Sequence, residues 1–230
     1  MGTLTLVRHG QASFGAADYD QLSPLGAQQC HALGGYFAAR GLRFEAVLRG
    51  SLRRHVQSLA ALAEGHGELP AALEWPGLNE YDSDALVHAL VQALKLPPES
   101  LPDPADRSPA SYRAHFRLLR DAMQAWMDGR TRPAGMPDWN GFVAGVQGAL
   151  DHVRHTHSGD VLIVSSGGPI ATAVAQVLGA PAASVIELNL RIRNSAVTEF
   201  AFTPKRHVLV SFNHLPHLDV PERRDWITHA

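Results

Sequence analysis

Cysteine is almost missing from this chain. Cys30 is the only one among 230 residues, so no intrachain disulfide can form, and a reducing cytoplasm is the expected setting. An excess of charge of one sign is missing too. The formal net charge is -2 and no runs of like charge occur, so neither nucleic acid nor a membrane surface is an expected partner. No apolar run reaches about eighteen residues, and no basic segment followed by an apolar one opens the sequence; a membrane span and a secretory signal are not expected. Met1-Gly2 begins like a myristoylation pattern, but Leu6 stands where that pattern needs serine or threonine. Fixed-period repeats and low-complexity tracts are absent. Histidine, in contrast, is plentiful: thirteen residues, enough to turn the net charge positive on mild acidification.

With 45% hydrophobic residues the chain can bury a substantial core, and residues 1–230 read as a single domain. Thr3 to Val7 is a β-rich apolar run, as expected of a buried parallel strand. In "LSPLGAQQCHALGGYFAARG", Ser23 can cap a helix, Pro24 suits its first turn and Gly41 can stop it. "EAVLRG" (Glu45 to Gly50) predicts a second strand, Ser51 to Glu64 a second helix and Ala71 to Trp75 a weaker third strand. Five prolines between Pro97 and Pro109 then punctuate a stretch of amphipathic segments. Residues 77–140 are expected to form a mostly helical insertion over a sheet edge. "DVLIVSSGGPIATAVAQVLGA" restores the order of buried strand, glycine turn and helix. "NSAVTEFAF" and "HVLVSFNH" predict two more strands, antiparallel to each other. The fold class is α/β: a three-layer sandwich with a mainly parallel central sheet flanked by helices, plus the insertion.

In such sheets ligands bind beyond the carboxyl ends of the strands. Three segments bring special residues there: "VRHG", "RGSLRR" and "VSSGG". They supply Arg8, His9, Arg53 and Arg54, then hydroxyls and glycines, with two helix starts whose free N–H groups favour anions. Arginines, an imidazole and helix N-termini in one place point to an oxyanion such as phosphate. His155 and His157, two residues apart, do not share a helix face and read as a solvated helix end rather than metal ligands.

At this point "LVRHGQAS" resembles the signature of the histidine phosphatase superfamily, the phosphoglycerate-mutase-like fold. "LSPLGAQQ" resembles the family's L-T-x-x-G-x-x-Q helix, "LRRHVQS" its L-x-R-A-x-Q-T segment, and "LNEYD" the segment with an acidic proton donor. "VSSGGPI" sits where V-S-H-G-G-x-I is usual, and "SFNHLPHL" is similar to the N-x-x-x-H-L ending. The resemblance spans nearly the whole chain. It implies phosphomonoester hydrolysis through a phosphohistidine on His9, with Arg8 and Arg54 clamping phosphate and Glu80 as proton donor. Gly10, Ser13, Ser166 and Gly167 join the phosphate-binding set. Neither metal nor cofactor is implied, because side chains supply the cations. The expected partner is a small phosphorylated substrate or a phosphoprotein. A phosphoglycerate mutase and a phosphate-binding regulatory module with little turnover are the rival readings.

Each residue also has a plainer role. Arg53 reads as solvated, Glu80 could be a surface carboxylate, and Gln11 and Ser13 could line phosphate or polarise a loop. The main departure is at Ser166, where the family carries a second histidine. Serine offers a neutral hydrogen bond and no charge. The enzyme is then slow, or compensated by another group, or only a binder. His217 and His214, beyond Asn213 at the end of the last strand, are the candidates for compensation, although His217 also suits a loop packed under the C-terminal tail. The phosphate loop has Gly15 where asparagine is frequent, and the insertion has no arginine and lysine cluster, which argues against a doubly phosphorylated ligand. Tyr81, Trp126 and Trp139 mark the insertion as the part expected to shape substrate choice.

Overall fold

Alternation along the strands decides the layers. The computed structural model describes residues 1–13, 20–97, 101–102, 106 and 108–229; parts of the proline-punctuated stretch and Gly15 lie outside them. Strand β1 (Gly2–Arg8) sends Leu4 and Leu6 to one face and Val7 to the other, and all three are buried. Strands β2 (Ala46–Arg49) and β4 (Val161–Ser165) do the same: Leu48, Val161 and Ile163 join one core, Val47, Leu162 and Val164 the other. With β3 (Ala72–Glu74), β5 (Val197–Thr203) and β6 (Arg206–His214) they form a six-stranded sheet of order β3-β2-β4-β1-β5-β6. The first four strands are mutually parallel; β5 runs antiparallel to β1, and β6 antiparallel to β5. A sheet buried on both faces needs helices on both, and the result is a three-layer α/β sandwich.

Helices α1 (Pro24–Ala39) and α2 (Arg53–His66) cover the Val7 face with Cys30, Leu33, Phe37 and Leu62. The other face is covered by α3 (Ser83–Leu94), α4 (Pro109–Met127), α5 (Trp139–Thr156), α6 (Gly167–Leu178) and α7 (Ala183–Asn189). Their apolar residues, among them Leu86, Met123, Phe142 and Ile170, share one cluster with Leu4 and Ile163. The insertion's helices α3 and α4 thus join the core on this side, packed on each other and, through α4, on α7. Among the described residues no helix is long and apolar enough to cross a membrane.

Local chemistry sets the helix boundaries. Ser23 caps α1 by accepting from the Gly26 amide at 3.0 Å. Helix α2 begins two residues later than its sequence pattern predicts. Leu52 is still extended, and the cap comes from far away: the Arg53 amide donates to Asp20 Oδ2 at 2.8 Å. It also runs on to His66, ending where Gly67 takes φ +94°.

Candidate active site

The carboxyl ends of β1, β2 and β4 lie level, because Arg8 pairs with Ser165 and Arg49 with Val164. The chain leaves each strand into a turn: His9-Gly10 after β1, Gly50 before α2, and Ser166 at the start of α6. Two backbone bonds fasten these turns together, His9 N to Ser165 O at 2.9 Å and Gly50 N to Val164 O at 3.2 Å. The sheet rim therefore gathers Arg8, His9, Arg54 and Ser166, all buried.

His9 is only 4% exposed. Its Nδ1–H donates to the Gly10 carbonyl at 2.7 Å, which leaves the lone pair on Nε2. Burial first, then Arg8, Arg54 and His55, hold its pKa well below that of a free imidazole, so the ring is neutral. The Arg8 guanidinium donates to the Ile192 carbonyl. Arg54, 8% exposed, donates from Nη1 to Asp20 Oδ1 at 2.7 Å. Arg53 is exposed.

Glu80 reaches the rim from the 3-10 turn Pro76–Leu78 that follows β3. Both its carboxyl oxygens lie 3.1 Å from the Gly168 amide. Part of its surface stays open, yet burial pushes its pKa up, against the opposing pull of the Gly168 N–H, Arg54 and Arg8. The Gly168 amide near the start of α6 thus serves a carboxyl group of the protein. Gly167 stands at the first position of α6, where a Cβ would meet Asn189 Oδ1 at 2.2 Å.

Other residues singled out in the sequence are bonded to the scaffold through backbone or side chain. The Gly10 amide donates to Ser58 Oγ at 3.1 Å, and Ser13 N to Gln21 O at 2.7 Å. Gln11 Oε1 accepts from Ser23 Oγ at 2.9 Å, so this side chain braces the α1 cap. Its amide donates to Gln29 Oε1, and the fully buried Gln29 in turn donates to Trp226 O and Thr228 Oγ1. Trp126 packs edge to face on Trp139 and on Phe142, and Trp139 stacks on Phe142, inside the core. Tyr81 stays by the site: its ring lies against Gly168, and its hydroxyl accepts from Asn189 Nδ2 at 2.6 Å. His157 pairs with Glu45 at 3.0 Å while His155 is exposed.

Neither candidate for compensation is bonded to Ser166 among the described residues. His217 Nε2 lies 2.9 Å from Ser195 Oγ, beneath the rim, and His214 is exposed. The imidazole that meets Ser166 is His55, whose Nε2 lies 2.7 Å from Ser166 Oγ. Sequence reasoning overlooked it, although a signal was present: "LRRHVQS" has His55 where the family pattern has alanine, in the same chain that has serine for histidine at 166. Asp20 was overlooked as well, and no local pattern marks it.

A model of the histidine phosphatase superfamily (branch 1) matches residues 4–95 and 105–215, and the chain belongs to that superfamily. Phosphoryl hydrolysis or transfer is accordingly its kind of chemistry. Solved structures with the same fold include a phosphoserine phosphatase from Entamoeba histolytica, at 19% identity and TM-score 0.61, covering 95% of this chain and 100% of that one. A phosphoglycerate mutase from Bacillus anthracis is similar at 18% identity and TM-score 0.62, over 94% of each chain. A mycobacterial glucosyl-3-phosphoglycerate phosphatase is similar at 20% identity and TM-score 0.63, over 93% of this chain and 99% of that one. No curated protein matches the sequence.

Proposed function

We propose that the protein hydrolyses phosphomonoesters through a phosphohistidine on His9. The observation that carries this reading is the His9 ring itself: neutral, fixed by its bond to Gly10 O, and left with a lone pair on Nε2 among two guanidinium groups. A phosphoryl group entering there would be held by Arg8 and Arg54, whose planar forks suit its oxygens. His9 Nε2 attacks phosphorus as the P–O ester bond breaks. Glu80, whose raised pKa favours the protonated acid, gives its proton to the leaving oxygen. The Glu80 carboxylate then takes a proton from water, the water oxygen attacks phosphorus, the P–N bond breaks, and orthophosphate leaves. Ser166 and the start of α6 complete the phosphate-binding set.

The substrate class follows from the fold relatives by analogy. The Entamoeba phosphatase has been solved with phosphoserine and with 3-phosphoglyceric acid, so a small phosphorylated metabolite is the reading we adopt, with a phosphoprotein as the larger alternative. The test is incubation with p-nitrophenyl phosphate and a quench in base. Trapped phosphohistidine with continuing phosphate release, both absent in His9→Ala, is the expected result. Phosphohistidine that water barely attacks but phosphoglycerate discharges would replace the phosphatase with a mutase. Orthophosphate binding with no turnover above His9→Ala on a broad phosphoester panel would make the protein a binding module.

A further inference from the structure

One buried imidazole beside His9 has no part in these steps. His55 is the third residue of α2 and fully buried. Its ring centroid lies 5.9 Å from that of His9, with the planes inclined by 40°. Nε2 meets Ser166 Oγ at 2.7 Å, while Nδ1 is buried with no hydrogen-bond partner. Burial, then Arg54 and Arg49, lowers the pKa of this ring to about 3, so it is neutral and carries one N–H. Nδ1 has no partner in either tautomer, but a hydrogen there would bury an unpaired donor near the Arg54 and Arg49 charges, whereas a lone pair is favoured by them. Placing the hydrogen on Nε2 makes the ring a donor to Ser166 Oγ. Ser166 is the N-cap residue of α6, yet its side chain makes no capping bond. With His55 as the donor, the serine's own hydroxyl hydrogen is left for another acceptor.

We propose that His55 and Ser166 work as one unit: the imidazole donates to the serine oxygen and thereby turns the serine O–H onto a phosphoryl oxygen held over His9. Ser166 touches the substrate and His55 positions and polarises it. The proposal rests on the phosphohistidine reading and names two residues that act in it. The polarised hydroxyl is a preorganised neutral donor, and it needs no charge at position 166. The two side chains meet at 2.7 Å, so an imidazole entering from 166 should be able to replace one entering from 55.

The test compares wild type with His55→Ala, Ser166→Ala, the double alanine variant and the swap His55→Ala/Ser166→His. Each is assayed for kcat and KM on p-nitrophenyl phosphate, for orthovanadate affinity and for thermal melting. Each single alanine should lower kcat about a hundredfold, with the double no lower than the worse single. The swap should recover about tenfold over His55→Ala, which a merely structural role for His55 would not produce. Should the swap fail to fold, His55→Gln, which keeps an N–H donor, should exceed His55→Leu in kcat. Wild-type kcat in His55→Ala, losses that multiply in the double variant, or a folded swap without recovery would overturn the unit. If wild type forms no phosphohistidine, the function reading fails. The unit is then read from orthovanadate alone, whose affinity His55→Ala should weaken about tenfold; unchanged affinity would overturn it.

Discussion

Arg54 Nη1 lies 2.7 Å from Asp20 Oδ1. The same carboxylate accepts the Arg53 amide, so one acidic side chain occupies both a guanidinium and the N-terminus of α2. A phosphate dianion brought to Arg54 must share it with this negative charge. Asp20→Asn keeps an acceptor for the amide but removes the charge. We expect orthophosphate binding to tighten about threefold to tenfold at low salt, and less at high salt, with little change in melting temperature. Titration calorimetry at two ionic strengths checks this; weaker binding in Asp20→Asn would mean that the carboxylate's main effect is to aim Arg54.

Glu80 offers a second test, through the leaving group. A protonated carboxyl beside the Gly168 amide matters most when the departing oxygen is strongly basic. Glu80→Gln should reduce kcat/KM for an alkyl phosphate by about 10²–10⁴, and markedly less for p-nitrophenyl phosphate, whose phenolate leaves without help. The raised pKa of Glu80 and the lowered pKa of His9 set the pH window of the free enzyme. Activity should be lost on the alkaline side as Glu80 ionises, and on the acid side only well below the usual imidazole range. Equal losses on both esters would remove Glu80 from the proton-donor role.

The buried histidines make stability depend on pH. His55 and His217 each have a folded pKa of about 3, below the unfolded value, so the unfolded chain binds more protons as pH falls through about 6.5. Their stabilising contribution is complete above that value and declines from there toward pH 3. At pH 5 the loss is about 2 kcal/mol for each, and His9 acts in the same direction. The melting temperature should fall between pH 7 and pH 5, and His217→Asn, which cannot titrate there, should flatten that fall. An identical pH slope in the variant would contradict this.

Gly10 and Gly26 approach each other where the His9 turn meets the start of α1. A Cβ on Gly10 would come within 2.2 Å of Gly26 O, and one on Gly26 within 2.2 Å of Gln11 O. Both obstacles are backbone, so neither can rotate away. Gly10→Ala should destabilise the fold by about 1–3 kcal/mol and displace His9, lowering kcat even where the protein stays folded. Calorimetric melting together with turnover at a low temperature separates the two effects.

The parts legible in the sequence are those fixed by near neighbours. The apolar run into Arg8, the Ser23 cap and the β4–α6 turn each combine pattern and chemistry within about ten residues, and the sheet follows from their alternation. Arg8, His9 and the Arg53–Arg54 pair were visible because strand ends at one sheet rim must converge, and the family resemblance singled out Arg54, Glu80 and Ser166. What escaped depends on register between distant segments. His55 acquires meaning only when α2 lies beside the start of α6, a separation of 111 residues. Asp20 caps a helix 33 residues away. Trp126 and Trp139 mark the insertion in the sequence, but which of its aromatics face the site is not a local property; both fill the core.

Gln29 ties the turn after His9 to Trp226 and Thr228, and Thr228 O also accepts the Asn194 amide at 3.0 Å, next to Ser195, whose amide donates to the His9 carbonyl. Sequence positions nearly two hundred residues apart thus close a single ring under the nucleophile. The ring stays closed only while the Trp226–Thr228 segment stays docked. The Gln11 and Asn194 amides should exchange with solvent deuterium faster once Gln29→Ala lets that segment go, so the far end of the chain helps steady the floor beneath His9.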